Sequence, residues 1–482
     1  MRTLPLFFAV ILLFVYSCDD QYLETQPTNQ VSGEAVFQTA DGVQTLLDGV
    51  LRDMRSQHGS PNQHDQFGVK AIDLCIDLMG EDIVPETFHW FGVDYIYRNR
   101  SAVSHRPLYV WSLFYRIIYN VNSVIHNVDG VSAQDESRKD HLKAQALALR
   151  SYAYFQLIQL FQHTYKGHED APGVPLYTST DIEGKARSTV SEVYDQIVQD
   201  LDESIQLFEG SNHSQRHISD PSVNVAKGLR ARVALVMQDW ETAAQMADEA
   251  RQGYDLMPPD QFSAGFDNST EQNWMWGLEV NNEQSTTYAS WFSHMDWTIG
   301  GYCGYGIIPK SYNLKLYHQM DNGDVRKQLI DASSIETGRL IPYKFAAGGD
   351  KGFAADYVMM RPEEMVLIEA EARAMLEEYP EAAGLLEELR NMRYDSPVSV
   401  SLTGDALLEE IYTERRIELW GEGFAGLDIK RLKLPVDRTD SNHKPDVSTV
   451  MTLPAESSKL NYQIPQEEID ANPNIGEEDQ NP

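Results

Sequence analysis

Val236-Met237-Gln238-Asp239-Trp240-Glu241-Thr242-Ala243 is the stretch whose reading decides the fold. Before it, Val225, Leu229, Val233 and Val236 recur at helical spacing and mark one apolar face. After it, Ala243, Ala247 and Ala250 make a stripe of small residues on a second helix. The sequence therefore reads helix, corner, helix, with an aromatic residue at the corner and a second helix slim enough for close approach. The same order returns from Leu376 to Ala383, around Tyr379-Pro380-Glu381.

An aromatic corner followed by an Ala-rich helix is how tetratricopeptide helix pairs stack. The expected fold class is mainly α, a tetratricopeptide-like array of helical hairpins forming an α-α superhelix. Other helices support it. Trp111, Phe114, Ile118, Val121, Ile125 and Val128 form one stripe, and Leu147, Tyr154, Ile158 and Phe161 another. Val190, Tyr194, Ile197, Leu201, Ile205 and Phe208 follow a Thr189…Glu192 capping box. Val43, Leu47, Val50 and Met54 mark an early helix. Pro362 opens a later one, with Glu363 and Glu364 at its positive end and Met365, Ile368, Ala372 and Met375 along its face. Ala382, Leu386 and Leu389, then Leu408, Ile411, Arg415 and Leu419, mark the last two.

Two long stretches lack this periodicity, near 57–110 and near 254–356, and both are rich in aromatic residues. Insertions of this length are usually functional or separately packed. Sugars present apolar C–H faces that lie on aromatic rings, while neighbouring amides and acids take the hydroxyls. Trp90, Phe91, Tyr95, Trp291, Trp297 and Tyr302 are the candidate glycan-binding residues, set among Asn, Gln, Ser and Gly. Core packing beneath the loops is the competing role for the same rings. Trp274 and Trp276 alternate in Asn273–Val280, which reads as a short strand with both rings in the core.

A net charge of −34 on 482 residues excludes a nucleic-acid partner, since phosphate binding needs a basic surface. It also disfavours adsorption to anionic lipid. Arg2 and the apolar run Leu4 to Tyr16 read as a signal peptide over 1–17, too short to span a bilayer comfortably. Val15-Tyr16-Ser17-Cys18 looks like a bacterial lipobox, with Cys18 as the lipidated residue; Val15 and the bulky Tyr16 depart from the usual pattern. Residues 18–34 read as a tether and 35–482 as a single domain carrying the two insertions. Cys75 and Cys303 remain, either paired or, as thiols generally are, buried and free.

No catalytic constellation stands out. Asp77, Glu81 and Asp82 are close in sequence, whereas glycosidase carboxylates flank a bond from different elements. Ser293-His294 with Asp296 has triad letters but no nucleophile elbow, and His58, His64 and His89 lack metal-ligand spacing. The expectation is a binding protein, not an enzyme, with neither cofactor nor metal.

The C-terminal third is more specific. Tyr412-Thr413-Glu414-Arg415-Arg416-Ile417-Glu418-Leu419 leads to Glu422-Gly423 and Leu427-Asp428-Ile429-Lys430-Arg431. The chain closes with Ile464-Pro465-Gln466 through Pro473-Asn474 and Gln480-Asn481-Pro482. Together with Arg361-Pro362-Glu363-Glu364 and the Arg232-to-Trp240 corner, these resemble the RagB/SusD outer-membrane lipoproteins. Phe424-Ala425-Gly426 departs from the family, which usually places a His or Arg and a second aromatic there. The resemblance implies a surface-exposed lipoprotein that captures an oligosaccharide and passes it to a SusC-like TonB-dependent transporter. Peptide capture by the same architecture is the nearest alternative, a surface glycoside hydrolase a more distant one.

Overall fold

The structure is a computed structural model describing residues 36–133, 135–270, 273–348 and 351–482. The signal peptide, Cys18 and the tether lie outside the described residues. The longer helices are α1 (Ala40–Asp53), α2 (Val69–Met79), α3 (His105–Asn127), α4 (Ser137–Phe161), α5 (Val190–Ser211), α6 (Val223–Met237), α7 (Trp240–Ala250), α8 (Pro362–Met375), α9 (Tyr379–Asn391), α10 (Gly404–Glu418) and α11 (Ala425–Arg431). From α3 to α9 each helix packs on the next, which is the helical-hairpin array expected.

The two corners share a backbone as well as a sequence pattern. Gln238 and Glu377 both adopt left-handed φ, 61° and 63°. The amide that follows each one reaches back into the preceding helix, Asp239 N to Ala234 O and Glu378 N to Arg373 O, both at 2.9 Å. Asp239 then caps α7, its Oδ1 accepting from Thr242 N. Ala243, Ala244, Ala247 and Ala250 are buried, so α7 lies close between α6 and α8. The Thr189–Glu192 capping box forms as read, and Pro362 occupies the first turn of α8.

Residues between α7 and α8 form an excursion from the array, built of short elements. Its strands pair in two-stranded antiparallel ribbons: β3 (Lys310–Tyr312) with β1 (Ile83–Pro85), which comes from the segment between α2 and α3, β2 (Trp276–Leu278) with β6 (Tyr357–Met360), and β4 (Ile330–Asp331) with β5 (Ile341–Pro342). A last ribbon joins β7 (Val436–Asp437) to β8 (Thr452–Leu453). Trp274 and Trp276 are buried beside and within β2, as the alternation implied. The aperiodic stretch near 57–110 holds a regular helix, α2, whose residues are all buried. Its polar residues Lys70, Asp73 and Asp77 fall at helical spacing, but that stripe is buried too, with Lys70 paired to Asp73 and Asp77 accepting from Gly423 N. Cys75, on α2, and Cys303 are free and buried.

The C-terminal signature is an ionic core. Glu418, fully buried, accepts from Arg361 at 2.7 Å, Arg393 at 2.8 Å and Arg326 at 2.8 Å. Arg393 also meets Glu363 at 3.0 Å, and Arg390 meets Glu414 at 2.7 Å. Glu422 takes Arg361 and Lys344 at 2.8 and 2.6 Å. Farther along, Asp428 binds Arg415 and Arg431. The chain end is docked, with Asn481 Nδ2 donating to Tyr462 O and its Oδ1 accepting from Arg187.

Burial alone would raise the Glu422 carboxyl, but Arg361 and Lys344 outweigh it and hold the group at about 2 against an ordinary 4.5. A carboxylate depressed on folding stabilises fully above its unfolded pKa and loses that contribution as pH falls towards the folded one, here roughly 3 kcal/mol. Glu422→Gln should therefore lower the melting temperature at neutral pH, and the gap to wild type should close between about pH 4.5 and 2. Thermal melts of both proteins across that range are the check; a gap that stays constant into acid would sink the assignment.

Candidate functional site

The β1–β3 ribbon positions the site. Ile83 pairs with Tyr312 and Pro85 with Lys310. The turn leaving β1 (Thr87–Trp90) and the loop entering β3 (Tyr302–Ile308) are therefore neighbours, although more than two hundred residues separate them in sequence. Thr87 Oγ1 ties them by donating to Ile307 O at 2.6 Å.

Tyr302 stands at the centre, half-buried. Its ring stacks on His294 at 5.0 Å and meets Tyr288 at 5.8 Å, His89 at 5.9 Å and Trp90 at 6.3 Å. Its hydroxyl lies 2.7 Å from His64 Nδ1. His64 in turn faces Trp90 and Tyr288, and Tyr288 reaches Phe353. Around this centre Phe88, Tyr288, Tyr305 and Ile307 are 49%, 41%, 65% and 44% exposed. Large apolar side chains this exposed, three of them carried by the same two loops and Tyr288 set against Tyr302, mark an interaction surface. The Trp90 ring is half-buried, and its indole N–H is turned inward, buried and without a hydrogen-bond partner.

The support beneath is rigid. Arg106, fully buried, donates to Asp65 Oδ2 at 2.9 Å and Asp94 Oδ1 at 3.0 Å, and so fixes the loop that carries His64. His294 Nε2 donates to the His64 carbonyl at 2.8 Å. Burial, then Lys310, push His294 well below the ordinary histidine range, so it is a neutral ring supporting Tyr302.

Three candidate residues need correction. Trp291 is 1% exposed, between the Lys70 ammonium at 4.6 Å and the Phe345 ring at 5.3 Å. Phe91, at φ 60°, turns away from Trp90 and packs on Phe67 and His294. Tyr95 is fully buried, stacked on His443 and covered by the Arg438 guanidinium at 4.2 Å. Each is buried among side chains from elsewhere in the chain, so in this structure none presents its ring to the surface. Trp297 is half-buried and stands apart from the Tyr302 cluster. Its Nε1 donates to Lys310 O at 2.9 Å, and Arg339 lies over its ring at 5.7 Å. Of the six, Trp90 and Tyr302 are brought together.

Sequence reasoning passed over His64, His89, Phe88, Tyr288 and Tyr305 as contact residues. Tyr305 had a legible signal: between Gly304 and Gly306, it has no bulky neighbours to cover it. The acids and the triad letters have structural work. Asp77 accepts from Gly423 N and Ala425 N, Asp82 pairs with Arg416, and Glu81 accepts from Asp437 N. Ser293 Oγ accepts from Tyr302 N, and Asp296 accepts from Thr298 and Ala347. Among the described residues no group of His, Cys, Asp or Glu is placed to hold a metal ion. No described helix is long and apolar enough to cross a membrane.

A stacked helical-hairpin array that presents an aromatic surface from an inserted excursion defines a helical-repeat protein built around a displayed contact face. Two family models match the chain: "Starch-binding associating with outer membrane" over residues 21–235 and "SusD family" over residues 339–482. The chain belongs to the SusD-like family. It is 26% identical to SusD-like protein P2 of Formosa agariphila, across 90% of this chain and 91% of that protein. A SusD-like carbohydrate binding protein from Bacteroides vulgatus superposes with a TM-score of 0.81 at 27% identity, covering 92% of this chain and 98% of that one. Surface glycan-binding protein A from Bacteroides thetaiotaomicron, in complex with laminarihexaose, gives 0.67 at 18% identity over 92% and 99% of the two chains, which shows the common fold.

The burial pattern separates two kinds of tryptophan and tyrosine. Trp291→Ala should cost about 3–5 kcal/mol of folding stability. Tyr305→Ala, at 65% exposure, should change stability by no more than about 0.5 kcal/mol. Urea denaturation of the two variants measures both; equal losses would contradict the placement.

Proposed function

We propose that the chain binds an oligosaccharide at the cell surface on the platform formed by Trp90, Tyr288, Tyr302 and Tyr305. The observation that carries this reading is the contact of Tyr302 with Trp90 and Tyr288, and of these rings with their neighbours His64 and His89, beside the exposed Tyr305. His64, His89 and the tyrosine hydroxyls surround apolar faces, the mixture that sugar rings require. Two structural relatives support it, one named as carbohydrate binding and one holding laminarihexaose. Stacking is tolerant of sugar identity, so the platform sets the ligand class and not the particular glycan.

Losing one stacking ring from an open platform costs on the order of 1–3 kcal/mol, about a ten- to hundredfold fall in affinity. Tyr288→Ala and Trp90→Ala should each show that fall in calorimetric titrations with a glycan identified on an array. Tyr288→Ala should do so at an unchanged melting temperature. Full affinity in both variants, or selection of peptides and no glycan on a mixed array, would overturn the reading.

We further propose that Cys18 is acylated, that the anchor holds the protein on the outer membrane, and that a TonB-dependent transporter receives the glycan. The family description as associating with the outer membrane supports the location. Cys18→Ala should abolish labelling by a fatty-acid analogue and remove the protein from the membrane fraction. The wild-type lipoprotein should co-purify with a large β-barrel protein from detergent extracts. Persistent labelling, or recovery of the lipoprotein alone in several detergents, would count against the assembly.

A further inference from the structure

On a chain of net charge −34, one surface cleft gathers cations. Its walls come from α1, from the segment 216–220 and from Gln284, and its volume is about 470 Å³, within the range of small-ligand sites. Arg52, Arg55 and Arg216 line it with His217, Asp48 and Asp220. Most of these charges are matched. Arg216 pairs with Asp48 at 2.5 Å and Asp220 at 3.0 Å, and His217 with Glu279 at 2.5 Å. Arg52 has Glu283 at 3.7 Å, with both side chains largely in water.

Arg55 differs. Its Nε donates to Gln284 Oε1 at 3.2 Å and its Nη1 to the Leu51 carbonyl at 2.9 Å, both neutral acceptors. Among the described residues no carboxylate lies within 4.0 Å of its guanidinium. Burial, then the nearby Arg52, pull its pKa below the ordinary value, against the weaker opposing pull of Glu279, Asp356 and Asp48. A guanidinium is built to meet an oxyanion through two parallel N–H groups, and here no protein group supplies one.

The cleft is tied by chain connectivity to the aromatic platform. Gln284, which holds Arg55, is four residues before Tyr288, and four residues span at most about 14 Å. We propose that Arg55 and Arg52 bind an oxyanion substituent, a carboxylate or sulfate ester, on a saccharide whose neighbouring units lie on the platform. The ligand class is then an acidic glycan. This rests on the platform reading for the sugar chain, and on the cleft alone for the anion.

Calorimetric titration of the mature chain with sodium glucuronate and with glucose 6-sulfate tests it, beside methyl glucoside and sodium sulfate. Both charged sugars should bind saturably and methyl glucoside should not. Arg52→Gln should weaken charged-sugar binding about tenfold, the size of one lost charge-assisted contact. Arg55→Gln should abolish it; since Arg55 is mostly buried, the exposed Arg52 carries the test if that variant fails to fold. Absence of saturable binding by either charged sugar would overturn the proposal. So would sodium sulfate binding as tightly as glucose 6-sulfate, or charged-sugar affinity indifferent to the substitutions. Neutral oligosaccharides report on the platform separately: their failure to bind, with glucuronate binding retained, strikes the platform reading and leaves the cleft.

Discussion

Glu418 is shared by Arg326, Arg361 and Arg393 in a region closed to water, and the architecture is organised around that carboxylate. The arginines come from different places. Arg326 belongs to the excursion between α7 and α8, Arg361 immediately precedes α8, and Arg393 follows α9. Glu418 ends α10. One side chain thus fixes the return of the excursion to the array and the seating of the C-terminal region on it. Removing one partner from such a set strands a buried charge at a cost of about 3–5 kcal/mol, so its members stand or fall together.

The platform depends on this core through packing. Lys344 donates to Glu422 and to the carbonyls of Glu418 and Trp420. Its neighbour Phe345 packs against Trp291 and Trp420. Trp291 opens the short helix Trp291–Met295, which carries His294, and His294 stacks under Tyr302. A run of close contacts thus connects the ionic centre to the exposed rings. Tyr302 is held from behind by buried His294, and Tyr288 rests on Tyr302 and His64 in turn.

The same logic accounts for the glycines and for Phe424. Any side chain at Gly426 would strike Ile76 O at 2.4 Å, so α11 can rest directly on α2 only with glycine there. Phe424, where the family usually differs, takes the Arg415 and Arg232 guanidinium groups on its ring at 4.9 and 5.2 Å. The departure is a local solution to covering arginines and lies away from the platform.

Much of the helical array was legible in the sequence because amphipathic helices write their burial as a 3.6-residue stripe. The α3 stripe, the Thr189 box, Pro362 and the paired corners all depend on neighbours within a few residues. The signature around Glu418 was legible as a resemblance, though its spacing says nothing of which arginines it meets. Helix α2 carries its 3.6-residue signal as a buried stripe of Lys70, Asp73 and Asp77 on an otherwise apolar run of eleven residues, too short for pattern alone to separate it from a buried strand. The site was half legible: an aromatic-rich insertion announces contact chemistry, yet of the adjacent Trp90 and Phe91 the first joins the Tyr302 cluster and the second is buried against Phe67. Whether a ring is platform or core depends on what lies behind it, and that is supplied from elsewhere in the chain: Lys70 and Phe345 for Trp291, His443 and Arg438 for Tyr95. The sequence by itself determined the helices, their corners and the wealth of exposed-type aromatics. Only the tertiary structure decided which rings face water, because the β1–β3 pairing that sets the two loops side by side joins segments with no local signal for each other.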